Sequence, residues 1–151
     1  MSERRANGAR SFIAAALAVS TLLSAATTVA QSGAGEADML GTAWLAEDIG
    51  GRGVIDRARS TMEFVKPGQV GGLAGCNRYF GAVMLDGSTI AFGNLAATRK
   101  MCAEPLMVQE QRFLKALSEA KRLDLTHEGQ ILLIYADGTE PVLRFSRIVD
   151  K

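Results

Sequence analysis

The fold class follows from one stretch near the middle of the chain, “GCNRYFGAVMLDGSTIAFG” (residues 75–93). After a corner bracketed by glycines, two apolar runs flank Asp86-Gly87, a dipeptide that favours a tight hairpin turn. Two later turn signals, Glu128-Gly129 and Asp137-Gly138, separate further apolar runs in the same way. Short strands joined by tight turns predict a mostly antiparallel sheet.

The predicted strands share a short length, apolar content and bounding turn residues. They are residues 42–49, 60–66, 79–85, 88–93, 122–127, 130–136 and 141–147. Trp44 is the expected large buried residue of the first strand. The glycine-rich runs “GGRG” (50–53) and “PGQVGG” (67–72) lack the Gly-Lys-Ser/Thr ending of a phosphate loop, so they are predicted to be a strand break and a turn-rich link.

One segment, residues 103–122, has helical periodicity. Pro105 suits the first turn of a helix, and Glu104 lies near the positive end of the helix dipole. An amphipathic helix must cover a sheet with its apolar face, so the sequence predicts an α+β domain. The apolar side chains of that face are Leu106, Met107, Phe113, Leu114, Leu117 and Ala120.

Glu110 lies in the middle of this apolar face, where a carboxylate without partners would be costly. It is therefore either paired within a structural network or involved in chemistry. The expected partners are Arg78, Arg99, or backbone N–H groups near the corners that hold Cys76 and Cys102. We favour the structural interpretation, because ion-pair networks commonly hold such residues.

The first thirty residues are typical of a secretory signal peptide. A start containing three arginines precedes the uncharged run “SFIAAALAVSTLLSAATTVA” (11–30), which ends in small residues. A membrane anchor is the alternative, but Ser, Thr and Ala dilute the run. The predicted organisation is a signal peptide at 1–30, a flexible leader at 31–41 and one domain at 42–148.

The charge of the exported part argues against nucleic-acid binding. Residues 31–151 carry 14 Lys and Arg against 15 Asp and Glu, a net charge of −1. The basic residues are scattered along the sequence, with no basic stripe and no polybasic membrane-binding segment. No later stretch is long and apolar enough to span a membrane, so we expect a soluble exported protein, periplasmic or secreted.

Catalytic and metal-binding patterns are missing from the sequence. Cys76 and Cys102 form an even count in an exported chain, which favours a disulfide. A cysteine nucleophile would need a nearby base, and the lone histidine, His127, lies at a predicted turn. Two thiols and one histidine are a poor zinc site, and there is no Gly-x-Ser-x-Gly. We expect no enzyme activity, cofactor or metal.

Several of these features together resemble the META domain family, also called the HslJ-like family. They are Trp44, the run “GLAGCNRYFGAVMLDGSTIAFGNLAATRKMC” (72–102), Gln109 and Glu110, “FLKAL” (113–117) and “LLIYADGTEPVLRF” (132–145). The resemblance implies a curved antiparallel sheet, a partial barrel, packed around one helix. It implies a structural role for Trp44, Gly75, Asn77, Arg78, Thr98, Arg99 and Glu110, with Cys76 bridged to Cys102.

The family resemblance also shapes the expected function. It implies an envelope or secreted location in bacteria, a link to heat or antibiotic stress, and no established catalysis. Our main hypothesis is an exported, non-enzymatic domain that supports envelope integrity or stress tolerance by binding a protein or another envelope component. The alternatives are a secreted inhibitor of a protease or glycan hydrolase, and a weak enzyme built on Glu110 in an open cleft.

Overall fold

The computed structural model describes residues 35–149, and the predicted signal peptide (1–30) lies outside this range. Each of the seven predicted strands and the predicted helix corresponds to an element of the fold. In chain order the elements are α1 (Glu36–Met39), β1 (Ala43–Ile49), β2 (Thr61–Lys66), β3 (Gln69–Leu73), β4 (Arg78–Asp86), β5 (Thr89–Phe92), β6 (Ala96–Ala97), α2 (Glu104–Ser118), β7 (Arg122–Thr126), β8 (Ile131–Tyr135) and β9 (Pro141–Ile148).

Eight of the strands form a closed antiparallel barrel. Their order around the ring is β3, β2, β1, β9, β8, β7, β5 and β4, and pairing between β3 and β4 closes it. The short β6 pairs with the beginning of β4. The predicted α+β class and mostly antiparallel sheet are confirmed, whereas the predicted partial barrel is wrong because the ring is closed.

The strand that completes the ring is β3, which occupies the segment predicted to be a turn-rich link. A Cβ atom at Gly72 would lie 2.2 Å from the carbonyl oxygen of Thr61, and one at Gly71 would lie 3.2 Å from that of Tyr79. The neighbouring strands therefore approach β3 so closely that glycine is required. Because glycine is depleted in strands, the sequence pattern indicates a turn, and the closing strand is missed.

Helix α2 packs against the barrel and contacts β1, β5 and β9. The ring of Phe113 is fully buried and makes edge contacts with two strands. Its centroid is 5.7 Å from that of Tyr79 in β4 and 6.1 Å from that of Phe145 in β9. These contacts join the apolar face of the helix to the barrel interior. Among residues 35–149, no helix is long and apolar enough to span a bilayer.

The segment before β1 is packed, which differs from the predicted flexible leader. Met39 in α1 is fully buried, and the Glu36 carboxylate accepts a hydrogen bond of 2.6 Å from the Gly68 N–H. Trp44 is buried as predicted, and its Nε1 donates to Thr42 Oγ1 at 2.8 Å. Residues 36–41, which are predicted to belong to the leader, are therefore part of the folded structure.

Candidate functional site

The structure contains the disulfide between Cys76 and Cys102, with their Cα atoms 6.2 Å apart. Cys76 follows β3 at the corner that leads into β4, and Cys102 immediately precedes α2. The bond therefore joins the β3–β4 corner to the start of the helix. Gly75 adopts a φ of +124° at this corner, a conformation that favours glycine.

A buried hydrogen-bonded pair, Asn77 and Glu110, connects the same corner to the middle of α2. Glu110 is only 7% exposed. Its Oε2 accepts from the Asn77 backbone N–H at 2.7 Å, and its Oε1 accepts from Asn77 Nδ2 at 2.9 Å. Both carboxylate oxygens are thus bonded, which is what a buried carboxylate needs.

The side-chain oxygen of Asn77 bonds the segment that follows β6. Asn77 Oδ1 accepts from Thr98 Oγ1 at 2.8 Å and from the Lys100 backbone N–H at 2.7 Å. One asparagine therefore connects the corner, the residues before Cys102, and the helix. The predicted motif residues Asn77, Thr98 and Glu110 meet in one network, although they are up to 33 positions apart.

The two arginines predicted as partners of Glu110 are not its partners. The structure selects the third predicted option, a backbone N–H near the Cys76 corner. Arg78 and Arg99 are exposed. Arg78 contributes through its backbone, whose N–H donates to Thr98 Oγ1 at 3.2 Å and whose carbonyl accepts from the Thr98 N–H at 2.9 Å.

Gln109 is a further structural residue of the helix whose role the sequence does not reveal. It is 1% exposed. Its Oε1 accepts from the Ile55 N–H at 2.8 Å, and its Nε2 donates to Ser60 Oγ at 3.2 Å. Arg112, one turn later, donates to the Ile49 carbonyl. The helix therefore anchors the loop between β1 and β2. In the sequence, Gln109 is marked only by the family resemblance and by its neighbour Glu110, and neither signal identifies Ile55 or Ser60 as its partner.

The chemistry of these residues is that of a structural network. Glu110 is buried and bonded, so the open cleft required by an enzyme built on Glu110 is not formed there. His127 lies in the β7–β8 turn and is exposed, while Cys76 is occupied by the disulfide. Within the described range 35–149, no group of three or more His, Cys, Asp and Glu side chains could hold a metal ion.

Within residues 35–149, Tyr79 is the titratable group whose pKa clearly departs from its ordinary value. It is 2% exposed, and its hydroxyl donates to the Thr61 carbonyl at 3.0 Å. Burial raises the pKa of Tyr79 well above its usual value, with a smaller contribution from the negative charge of Glu63. The Tyr79 side chain is therefore neutral where it is buried in the folded core.

An exposed apolar surface lies on the outer side of β3 and β4. Phe80 and Met84 lie four residues apart on β4, so their side chains are on the same face of the strand. They are 66% and 70% exposed. The residues paired with them are small, because Gly71 lies opposite Phe80 and Ala91 lies opposite Met84. The two large side chains therefore project beyond their neighbours. We call this surface the β4 face. It includes a groove of about 230 Å³ lined by Gly68, Gln69, Val70, Phe80, Gly81 and Ala82.

Comparisons with known proteins agree with this architecture. A family model described as “META domain” matches residues 37–148. The NMR structure of a protein from Burkholderia xenovorans is similar, with a TM-score of 0.66 and 24% identity over 76% of this chain and 87% of that one. A second NMR structure has a TM-score of 0.59 and 24% identity, covering 74% and 92%. No curated protein matches this chain.

Proposed function

The chain belongs to the META domain family, and from that premise we propose that it is an exported, non-enzymatic binding domain that supports envelope integrity or stress tolerance. The observation that carries the proposal is the β4 face. On this face, two large apolar side chains of one strand, Phe80 and Met84, are exposed to solvent. Exposed apolar patches commonly mark interaction sites.

The β4 face is well suited to binding because it is rigid. Strand β4 pairs with β3 along five residue pairs and with β5 along four. Its beginning is also fixed by the disulfide and by the bonds between Asn77 and Glu110. A preformed surface loses little conformational entropy when a partner binds. The groove beside Phe80 can accept one apolar side chain of a protein partner.

Two observations support the remaining parts of the proposal. The family's motif residues are used in structural hydrogen bonds, which favours a binding role over catalysis. The disulfide is the kind of bond that persists in an oxidising compartment, so it supports a periplasmic or secreted location. The predicted signal peptide at 1–30 is consistent with that location.

The test is a complementation experiment in a strain that lacks the gene. We expect the wild-type chain to restore survival after heat or antibiotic stress, and the double variant Phe80→Ser/Met84→Ser to fail. Val108→Ser is the matched control, because Val108 is also an exposed apolar residue but lies on α2. Equal survival with the wild type and the double variant, at equal protein levels, would remove the β4 face from the proposal.

The inhibitor hypothesis keeps one observation in its favour. The loop between β1 and β2 is anchored to α2 through the bonds to Ile55 and Ile49, while the Ile55 side chain stays partly exposed. An anchored loop with an exposed apolar tip suits insertion into an enzyme cleft. Ile55→Ala should abolish inhibition in a screen of proteases and glycan hydrolases, and a screen without inhibition would end this alternative.

A further inference from the structure

Basic residues from separate segments of the sequence lie near one another in the folded structure. Arg78 lies directly opposite Thr98, to which its backbone is bonded, and Arg99 and Lys100 follow Thr98. Lys100 is itself bonded through its N–H to Asn77, the residue before Arg78. The backbones of these three residues, from two separate segments, therefore lie close together next to the disulfide, and all three residues are exposed.

A fourth basic residue joins them from the loop before β2. Arg59 is exposed and precedes Ser60, whose backbone pairs with Ala74. The Ala74 N–H in turn donates to the Asn77 carbonyl at 2.8 Å. We call Arg59, Arg78, Arg99 and Lys100 the basic corner.

None of the four residues of the basic corner forms an ion pair with another residue in the range 35–149. Four ion pairs form among residues 35–149, and they lie elsewhere: Lys115 with Glu119, Lys121 with Asp137, Arg122 with Asp124, and Arg144 with Glu47. The exposed acids nearest to the corner along the chain are Asp56 and Glu104. The Glu110 carboxylate is buried and bonded to Asn77.

An apolar side chain projects from the same surface. Met101 directly follows Lys100 and is 92% exposed, more than any other large apolar residue described. Its backbone is held on both sides, because Lys100 is bonded to Asn77 and Cys102 is in the disulfide. The corner thus presents a thioether side chain beside four cationic groups, on a fixed segment of backbone.

We propose that the basic corner docks the protein onto an anionic lipid surface, with Met101 entering the boundary between headgroups and acyl chains. Guanidinium groups pair with phosphate oxygens through two parallel hydrogen bonds. Each basic side chain near an anionic membrane strengthens binding by about fivefold. A soluble polyanion would use the same cations, but a lipid surface also offers an apolar layer that the Met101 side chain can enter. This inference is independent of the β4 face.

The test is sedimentation of the purified oxidised chain with vesicles. We expect binding to vesicles that contain phosphatidylglycerol, weakening as salt rises, and none to vesicles of phosphatidylcholine alone. Arg99→Gln/Lys100→Gln should weaken binding by about 25-fold, from two losses of about fivefold. The matched control Lys115→Gln/Arg144→Gln removes the same charge elsewhere on the surface and should stay within about twofold of the wild type.

Met101→Ser separates a lipid surface from a soluble polyanion. It should weaken binding to the phosphatidylglycerol vesicles and leave binding to heparin unchanged. The proposal is overturned if both charge variants weaken vesicle binding equally, if the wild type does not bind these vesicles, or if Met101→Ser has no effect on vesicle binding. Because every substituted residue is exposed, we expect an unchanged Tm in all variants, which checks that each one folds.

Discussion

The bonded pair of Asn77 and Glu110 should be one of the strongest non-covalent contributions to stability in this domain. Glu110→Ala removes a carboxylate that accepts bonds of 2.7 and 2.9 Å. The Asn77 backbone N–H then loses its partner, and Asn77 Nδ2 keeps only a longer bond of 3.4 Å to the Lys100 carbonyl. A hydrogen bond to a charged group contributes about 1.5–3 kcal/mol. We therefore expect the free energy of unfolding to fall by about 4 kcal/mol, a large part of the 5–15 kcal/mol typical of a domain of this kind.

A graded variant sharpens this expectation. Glu110→Gln keeps the size of the side chain and one acceptor oxygen, but it places an amide donor against a donor of Asn77. We expect a loss of about 2 kcal/mol, since one of the two bonds survives. The assay is urea unfolding of the oxidised protein, followed by the fluorescence of Trp44. Gln111→Ala, an exposed neighbour on α2, should change the free energy by less than about 0.5 kcal/mol.

A double-mutant cycle isolates the contact between the two side chains. Asn77→Ala keeps the backbone N–H that bonds Glu110 and removes the side-chain amide, including Nδ2, which bonds Glu110, and Oδ1, which bonds Thr98 and Lys100. Combined with Glu110→Ala, it should give a coupling free energy of about 1.5–3 kcal/mol. A coupling near zero, or a Glu110→Ala variant as stable as Gln111→Ala, would refute the idea that this carboxylate holds the corner to the helix.

Three further results are expected. Replacing Cys76 and Cys102 by Ser should lower the free energy of unfolding by about 3.5 kcal/mol in the chain-entropy model for a separation of 26 residues; a urea midpoint equal to that of the oxidised protein would contradict it. Gly72→Ala should destabilise severely, because its Cβ would overlap a backbone oxygen, whereas Gly53→Ala meets open space and should be tolerated; similar unfolding midpoints would argue against the closed ring. Tyr79 should stay neutral in the folded protein, so its raised pKa gives stability that is complete below the unfolded pKa of about 10 and is lost as the pH rises above it; in a Tyr135→Phe variant, which leaves Tyr79 as the one tyrosine, tyrosinate absorbance that develops before unfolding would oppose this.

Much of the secondary structure could be predicted from the sequence because its signals are local. The hairpin turn at Asp86-Gly87 and the helical face around Phe113 depend only on neighbouring residues. Strand β3 could not be predicted in this way. Its glycines are explained by how closely Thr61 and Tyr79 approach them, and such proximity across strands has no signature within the segment itself.

The features of the candidate sites also divide into those with a local sequence signal and those that depend on contacts between distant segments. The burial of Glu110 follows from its place on the helical face, and the disulfide follows from two cysteines in a chain predicted to be exported. The choice of Asn77 over Arg78 as the partner of Glu110 depends on the direction of one peptide group at the corner. The basic corner likewise exists only after folding, since Arg59 and Arg99 are far apart in the sequence.

The pairing of β1 with β9 has a consequence for the timing of folding. The first and last strands of the barrel are joined by six residue pairs, and β9 also pairs with β8. The ring therefore cannot close until the ribosome has released the last strand, and contacts between such distant segments form slowly. Until β9 has been synthesised, β1 can pair only with β2, so the complete barrel forms as the last step of folding.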